Sequence, residues 1–343
     1  MKNLMIVSLV LALSTAASHR ANASDLNSGA RGGGLLQATE RKPSTVSGPA
    51  RTSLVATAEG LFRPKTDQAL IVYRDGIIER AKFKDGFNAH TPVPSDQLTE
   101  LLVSALVLRA VAEGRIGSLE DMLATYGAGF GDADFEHKDL RTLLSSRGAA
   151  NVPPMGANRA LPDDGGRSAR EKGRKDVTAV LGRLLVHLYG QPLEQLLQEK
   201  IWQPAEAGEV RWTGVEGGRN DASFACCLLA SPNDWLKVSA FLLRNGSQKD
   251  PFLPLGLWEL VLETDLVTTQ KSVIGHRINL HTRRRQQIRG PMVMTMGGGT
   301  RWIFMVPEKR LVVLYFGVRT SSDMSVFGSI WNGLQNRKPL KGR

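Results

Sequence analysis

One stretch decides the fold: residues 95–114, whose sequence is SDQLTELLVSALVLRAVAEG. From Leu101 to Ala112 nearly every residue is apolar, so apolar side chains would cover all faces of a helix and not one stripe. Such a helix is stable where protein surrounds it. We interpret Ser95 as its N-cap, and we expect the helix to end at Gly114. The stretch therefore predicts a buried central helix.

Strand patterns lie on both sides of this helix along the chain. Residues 69–73 and 77–83 are joined by Asp75-Gly76, a two-residue turn typical of a β-hairpin. Three more strand patterns follow near the end of the chain, at residues 292–296, 302–306 and 311–318. Strands at both ends with helices between them predict an α+β fold: one antiparallel sheet built from the two termini, with flanking helices and a helical insertion.

The middle of the chain is mostly helical in pattern. Ser231 and Pro232 are typical of an N-cap and a first helical residue, and Gly190 is typical of a C-cap. Residues 147–175 are rich in Gly, Pro and charge, and we interpret them as a long loop. The predicted helices are 118–126, 138–146, 176–189, 192–201, 232–245 and a last one at 320–335.

Composition limits the class of protein. The chain has 343 residues, 42% apolar and 22% charged, which is enough to bury a core and excludes disorder of the whole chain. Its two cysteines, Cys226 and Cys227, are adjacent, so they do not form a disulfide scaffold. Neither they nor the six histidines have metal-ligand spacing, and no P-loop lysine follows the glycine run at 297–299. We therefore predict no metal and no cofactor.

The N-terminus resembles an export signal. Lys2 is followed by an apolar run at 4–17 and by Ala21-Asn22-Ala23, a small-x-small cleavage site. The run is short for a membrane span, although a membrane anchor is the alternative interpretation. We predict that residues 1–23 are a Sec-type signal peptide and that the protein is periplasmic or secreted in a bacterium, with no transmembrane segment after cleavage.

The rest of the chain is predicted to be a linker and one domain. Residues 24–53 are rich in Gly, Ser and Ala and form the predicted flexible linker. Residues 54–343 form the predicted domain, with a sheet part at 54–94 and 266–340 and a helical part at 95–265.

The charge balance predicts the kind of partner. With 44 Lys and Arg against 33 Asp and Glu, the net charge is +11, and a basic exported protein meets anionic surfaces. No zinc-finger pattern or RNA-binding aromatic signature is present, so no nucleic-acid partner is expected. The densest basic run is interpreted either as a solvated loop or as an anion-binding patch, and consists of Arg283, Arg284 and Arg285.

Several short segments, in order and spacing, resemble the penicillin-recognising serine hydrolases. The resemblance is to the class C β-lactamase-like branch, which includes esterases and 6-aminohexanoate-dimer hydrolases, and it spans roughly residues 65–335. It implies a β-lactamase/transpeptidase-like fold and, for active members, hydrolysis of amide or ester bonds. The segments are 70–76, 112–121, 181–193, 201–204, 229–235 and 307–313.

Members of that family begin the central helix with Ser-x-x-Lys, in which the lysine helps to remove the proton of the serine. Spacing back from Glu113 places the serine position at Gln97 and the lysine position at Glu100. An amide is not a nucleophile of this kind, and a carboxylate has the opposite charge to a lysine. No serine in the chain is followed three residues later by lysine.

The other two family elements depart from the pattern as well. The Tyr-x-Asn element corresponds to Gly173, Arg174 and Lys175, and none of the four tyrosines has Asn two residues on. The Lys/His-Thr/Ser-Gly element corresponds to Thr295, Met296 and Gly297, which lack the cation. Three departures together indicate that the acylation machinery is lost.

Two functions follow as hypotheses. The first is a non-catalytic binding or regulatory protein of the cell envelope, whose inherited cleft binds an envelope polymer, an amide or peptide oligomer, or a protein partner. The alternative is an amide or ester hydrolase with a rearranged site, in which Ser95 or a cysteine is the nucleophile or Glu100 activates water. Against this, Glu100 in a first helical turn also simply complements the helix dipole. An adhesion or scaffold module that uses the basic surface is a third option.

Overall fold

The computed structural model describes residues 49–95, 98–127, 129–130, 133–147, 164–209, 211–212, 228–247, 249–262, 270–271, 276–279, 291–297 and 301–317. The predicted signal peptide, the adjacent cysteines, Gln97, the arginine run 283–285 and the predicted helix 320–335 lie outside these ranges.

The described residues form ten strands and eight α-helices. The strands are β1 (Ala69–Arg74), β2 (Ile77–Phe83), β3 (Val93–Pro94), β4 (Arg211–Trp212), β5 (Leu228–Ala230), β6 (Gln270–Lys271), β7 (His276–Asn279), β8 (Pro291–Gly297), β9 (Arg301–Val306) and β10 (Leu311–Phe316). The helices are α1 (Pro49–Leu61), α2 (Thr99–Ala112), α3 (Ala133–Glu136), α4 (Leu140–Arg147), α5 (Asp164–Tyr189), α6 (Leu193–Leu197), α7 (Pro232–Leu243) and α8 (Leu255–Leu262).

The main sheet is built from both ends of the chain, as predicted. Its seven strands have the order β2-β1-β10-β9-β8-β7-β6, and every pair in it is antiparallel. Ala69 of β1 is opposite Phe316 of β10, although these residues lie near opposite ends of the sequence. Asp75 and Gly76 both have positive φ, as a two-residue hairpin turn requires. The α+β prediction is therefore confirmed.

Helices cover both faces of this sheet. On one face, Leu54 and Ala58 of α1, with Phe62 just after the helix, pack with Trp302 and Phe304 of β9 in one buried cluster. Helix α7 contacts β9 and β10. The predicted N-cap Ser231 forms a complete capping box with Asp234. Helix α1 begins at Pro49, inside the predicted linker 24–53, so order starts earlier than the composition suggested.

The central helix α2 is buried along its length, as predicted, but it begins later than Ser95. Its first residue is Thr99, and Leu98 occupies the N-cap position without a side-chain hydrogen bond. Ser95 instead continues the extended chain of β3, which pairs with β5. The prediction of Ser95 as the N-cap is wrong. The helix begins four residues later, and the Oγ of Ser95 accepts a hydrogen bond from the N–H of Leu228 in β5.

Helix α5 is longer than predicted. It begins at Asp164, so the predicted loop 147–175 is wrong over its last part, and the family's second element lies on a helix. The pair Gly165-Gly166 suggested a loop, but each glycine costs a helix only about 1 kcal/mol, and the Arg, Glu and Lys residues after it are good helix formers.

Shorter helical predictions are partly confirmed. Residues 140–147 form α4 as expected, whereas in the predicted segment 118–126 only Leu123–Tyr126 is helical, as a 3₁₀ turn. Helix α6 passes into a π-helical turn at Gln198–Trp202. A search of the described helices finds none with the length and apolar character of a membrane span.

Candidate functional site

The positions predicted for the family's three catalytic elements lie in three parts of the fold. Glu100 lies half-buried in the first turn of α2, while Gln97 precedes the helix outside the described residues. Gly173 and Lys175 lie on α5, a helix that packs against α2. In the sheet, β8 lies between β7 and β9, with Thr295 paired to Ile303 and Gly297 to Arg301.

Ser95 is the serine nearest in sequence to the start of α2, and it is held by backbone. Its side chain is buried, with 0% exposure. Its N–H donates to the Leu228 carbonyl at 2.7 Å, and its Oγ accepts from the Leu228 N–H at 3.2 Å. Its carbonyl accepts from the Leu98 N–H at 3.1 Å, closing the turn that leads into α2. Ser95 thus ties the beginning of the central helix to β5.

Glu100 is in a position that suits a helix start. It is the acidic residue of the first turn of α2, where a negative charge complements the helix dipole. Its carbonyl accepts a hydrogen bond from the Ser104 hydroxyl at 2.7 Å within the same helix. An acid at the position predicted for the family's lysine therefore also favours the start of the helix.

The phenol groups are bound elsewhere in the fold. Tyr126 donates to the Asp121 carboxylate and accepts from the Gly117 N–H at 2.9 Å. Tyr189 donates to Glu113 Oε2 at 2.8 Å. Tyr73 is buried in β1.

These contacts also affect acidity. Burial raises the pKa of Tyr189, and the hydrogen bond to Glu113 raises it further. Burial and Asp121 do the same for the pKa of Tyr126, and burial and the charge of Asp67 raise the pKa of Tyr315. A phenol can accept a proton in catalysis only when its pKa lies near the working pH, so these three are poor bases.

The most developed cluster of charges in the described ranges lies at the other end of α2. Glu113 accepts from Arg109 Nε at 2.7 Å and from the Tyr189 hydroxyl, and Lys200 Nζ lies 3.3 Å from its Oε1. Arg115 packs over the Tyr189 ring, 4.3 Å from its centroid. Burial acts to raise the pKa of Glu113, but the hydrogen bonds from Arg109, Tyr189 and Lys200 outweigh it and lower that pKa.

We call this group the Glu113 cluster; its members are Arg109, Glu113, Arg115, Tyr189 and Lys200. It connects the end of α2 to α5 and to the π-helical turn. The sequence analysis missed it. Only Arg109 and Glu113 are close enough in sequence, at i and i+4, to have indicated a pair. Within the described ranges, no group of His, Cys, Asp or Glu side chains could hold a metal ion.

No model of a protein family and no curated protein sequence matches the chain. Its fold, however, is that of the β-lactamase/transpeptidase-like serine hydrolases, which confirms the resemblance predicted from sequence. One similar solved structure, a Bacillus anthracis protein titled as a 6-aminohexanoate-dimer hydrolase, has a TM-score of 0.60 and 16% identity and covers 80% of either chain.

Two further solved structures have the same fold. EstCE1, a hydrolase with promiscuous acyltransferase activity, has a TM-score of 0.60 and 12% identity, with 84% of this chain and 99% of that one covered. A β-lactamase/D-alanine carboxypeptidase from Pseudomonas syringae has a TM-score of 0.57 and 14% identity, with 85% of this chain and 100% of that one covered. At these identities the similarity shows the fold alone.

Proposed function

We propose that this chain is an exported β-lactamase-like protein that has lost the Ser-x-x-Lys machinery and acts as a non-catalytic binding or regulatory protein of the bacterial cell envelope. The observation that carries the proposal is the pair Gln97 and Glu100 at the positions where the family has its serine and lysine. Without a hydroxyl and a base in those positions, the usual acyl-enzyme intermediate does not form.

The surroundings of Ser95 support this proposal. A nucleophilic serine needs an accessible Oγ and a base within hydrogen-bond reach. Ser95 is buried, and its Oγ already accepts the N–H of Leu228. A substrate carbonyl could reach the Oγ of Ser95 only if β3 and β5 moved apart. We therefore assign Ser95 a structural role at the entry to α2.

The tyrosines support it as well. The chain has four tyrosines, and none lies in the segment that corresponds to the family's Tyr-x-Asn element. The hydroxyls of Tyr126 and Tyr189 are bonded to carboxylates in other parts of the fold. Because their pKa values are raised, neither is suited to replace the missing base.

We further propose that the inherited cleft binds an amide-containing oligomer, an envelope polymer or a protein partner. Two proteins of the same fold are named for a 6-aminohexanoate dimer and for D-alanine carboxypeptidase activity, so amide-linked chains are the first ligands to test. Isothermal titration of the purified protein with the 6-aminohexanoate dimer and with a peptide ending in D-alanine should detect binding. Chromatography of the same samples should recover each probe uncleaved.

The catalytic question is tested with covalent probes. A fluorescent penicillin and a fluorophosphonate should leave the purified protein unlabelled. Stoichiometric labelling that disappears in Ser95→Ala but persists in Ser104→Ala, a hydroxyl on the same part of the fold, would overturn the proposal. Ser104 is a matched control because its hydroxyl is also buried and bonded to backbone.

The alternative function is amide or ester hydrolysis at a rearranged site. The observation that favours it is Glu100, a half-buried carboxylate at the start of the central helix that could activate water. It predicts turnover of p-nitrophenyl esters or short amides that Glu100→Gln abolishes. The proposed function predicts no turnover above that of the heat-inactivated protein.

A further inference from the structure

We draw no further inference here: the strongest candidate, the buried side chain of Arg301 on β9, opposite Gly297 of β8, belongs to the site already described.

Discussion

At the scale of single residues, a connected group of ion pairs and hydrogen bonds holds the far end of the central helix. Glu113 collects Arg109, Tyr189 and Lys200, which come from three different segments. Removing one member of a partly buried group leaves the remaining charges without compensation, which costs more than the loss of an exposed pair. The Glu113 cluster is therefore the part of the fold where single polar substitutions should matter most.

Glu113→Gln should destabilise the protein by about 1–3 kcal/mol, since Arg109 would lose its counter-charge and Lys200 would keep only its pair with Glu199. Urea unfolding followed by circular dichroism measures this free energy. The control is Glu120→Gln, which breaks an ion pair with Arg141 at the surface and should cost less than about 1 kcal/mol. Equal effects of the two substitutions would contradict the role of the cluster.

Glu113 should also make the stability of the protein depend on pH in acid. The pKa of Glu113 is lower in the folded protein than its ordinary value of 4.5. Its stabilising contribution is therefore fully present above pH 4.5 and is lost as the pH falls through the lower, folded value. The wild type should lose stability below pH 4.5 more steeply than Glu113→Gln, and parallel curves for the two proteins would contradict this prediction.

The tyrosines give the opposite dependence in alkali. Burial and neighbouring carboxylates raise the pKa of Tyr126, Tyr189 and Tyr315 above the ordinary value of 10.0. Their contribution is present below pH 10 and is lost as the pH rises through the folded values. In absorbance titration, these phenols should ionise only above pH 10, together with unfolding. Tyr189→Phe should show a shallower loss of stability there.

At the scale of elements, the sequence predicted the turns and caps whose interacting residues are close together in the chain. The hairpin at Asp75-Gly76 and the capping box at Ser231 are local, and the structure has both. The burial of α2 followed from its composition alone. The role of Ser95 could not be predicted, because it depends on Leu228, which comes near only when the chain folds.

Helix α1 gives a test at this scale. Ala58 is buried in the cluster that α1 forms with the sheet, whereas Ala56, on the same helix, is exposed. Ala58→Leu should cost about 1–3 kcal/mol because the added atoms must displace packed side chains. Ala56→Leu should change stability by less than about 0.5 kcal/mol, measured by urea unfolding. Equal effects would show that α1 does not pack as described.

At the scale of the whole molecule, two features define the account. The fold of the serine hydrolases is present, with a sheet closed by strands from both ends of the chain and a buried central helix. The positions predicted for the family's serine and lysine hold Gln97 and Glu100, and on this pair we propose that the acylation machinery is lost. The fold could be predicted because a buried helix is apolar on all faces and because strands and turns have recognisable local residue patterns. The Glu113 cluster could not, because its members are brought together from distant segments.

The central claim is that no acyl-enzyme forms, and the mass of the intact protein tests it most directly. After prolonged incubation with excess penicillin or fluorophosphonate, mass spectrometry should find the unmodified protein as the sole species. A stoichiometric adduct of the mass of the opened penicillin or of the phosphonyl group, mapped by proteolysis to one hydroxyl or thiol, would contradict the account.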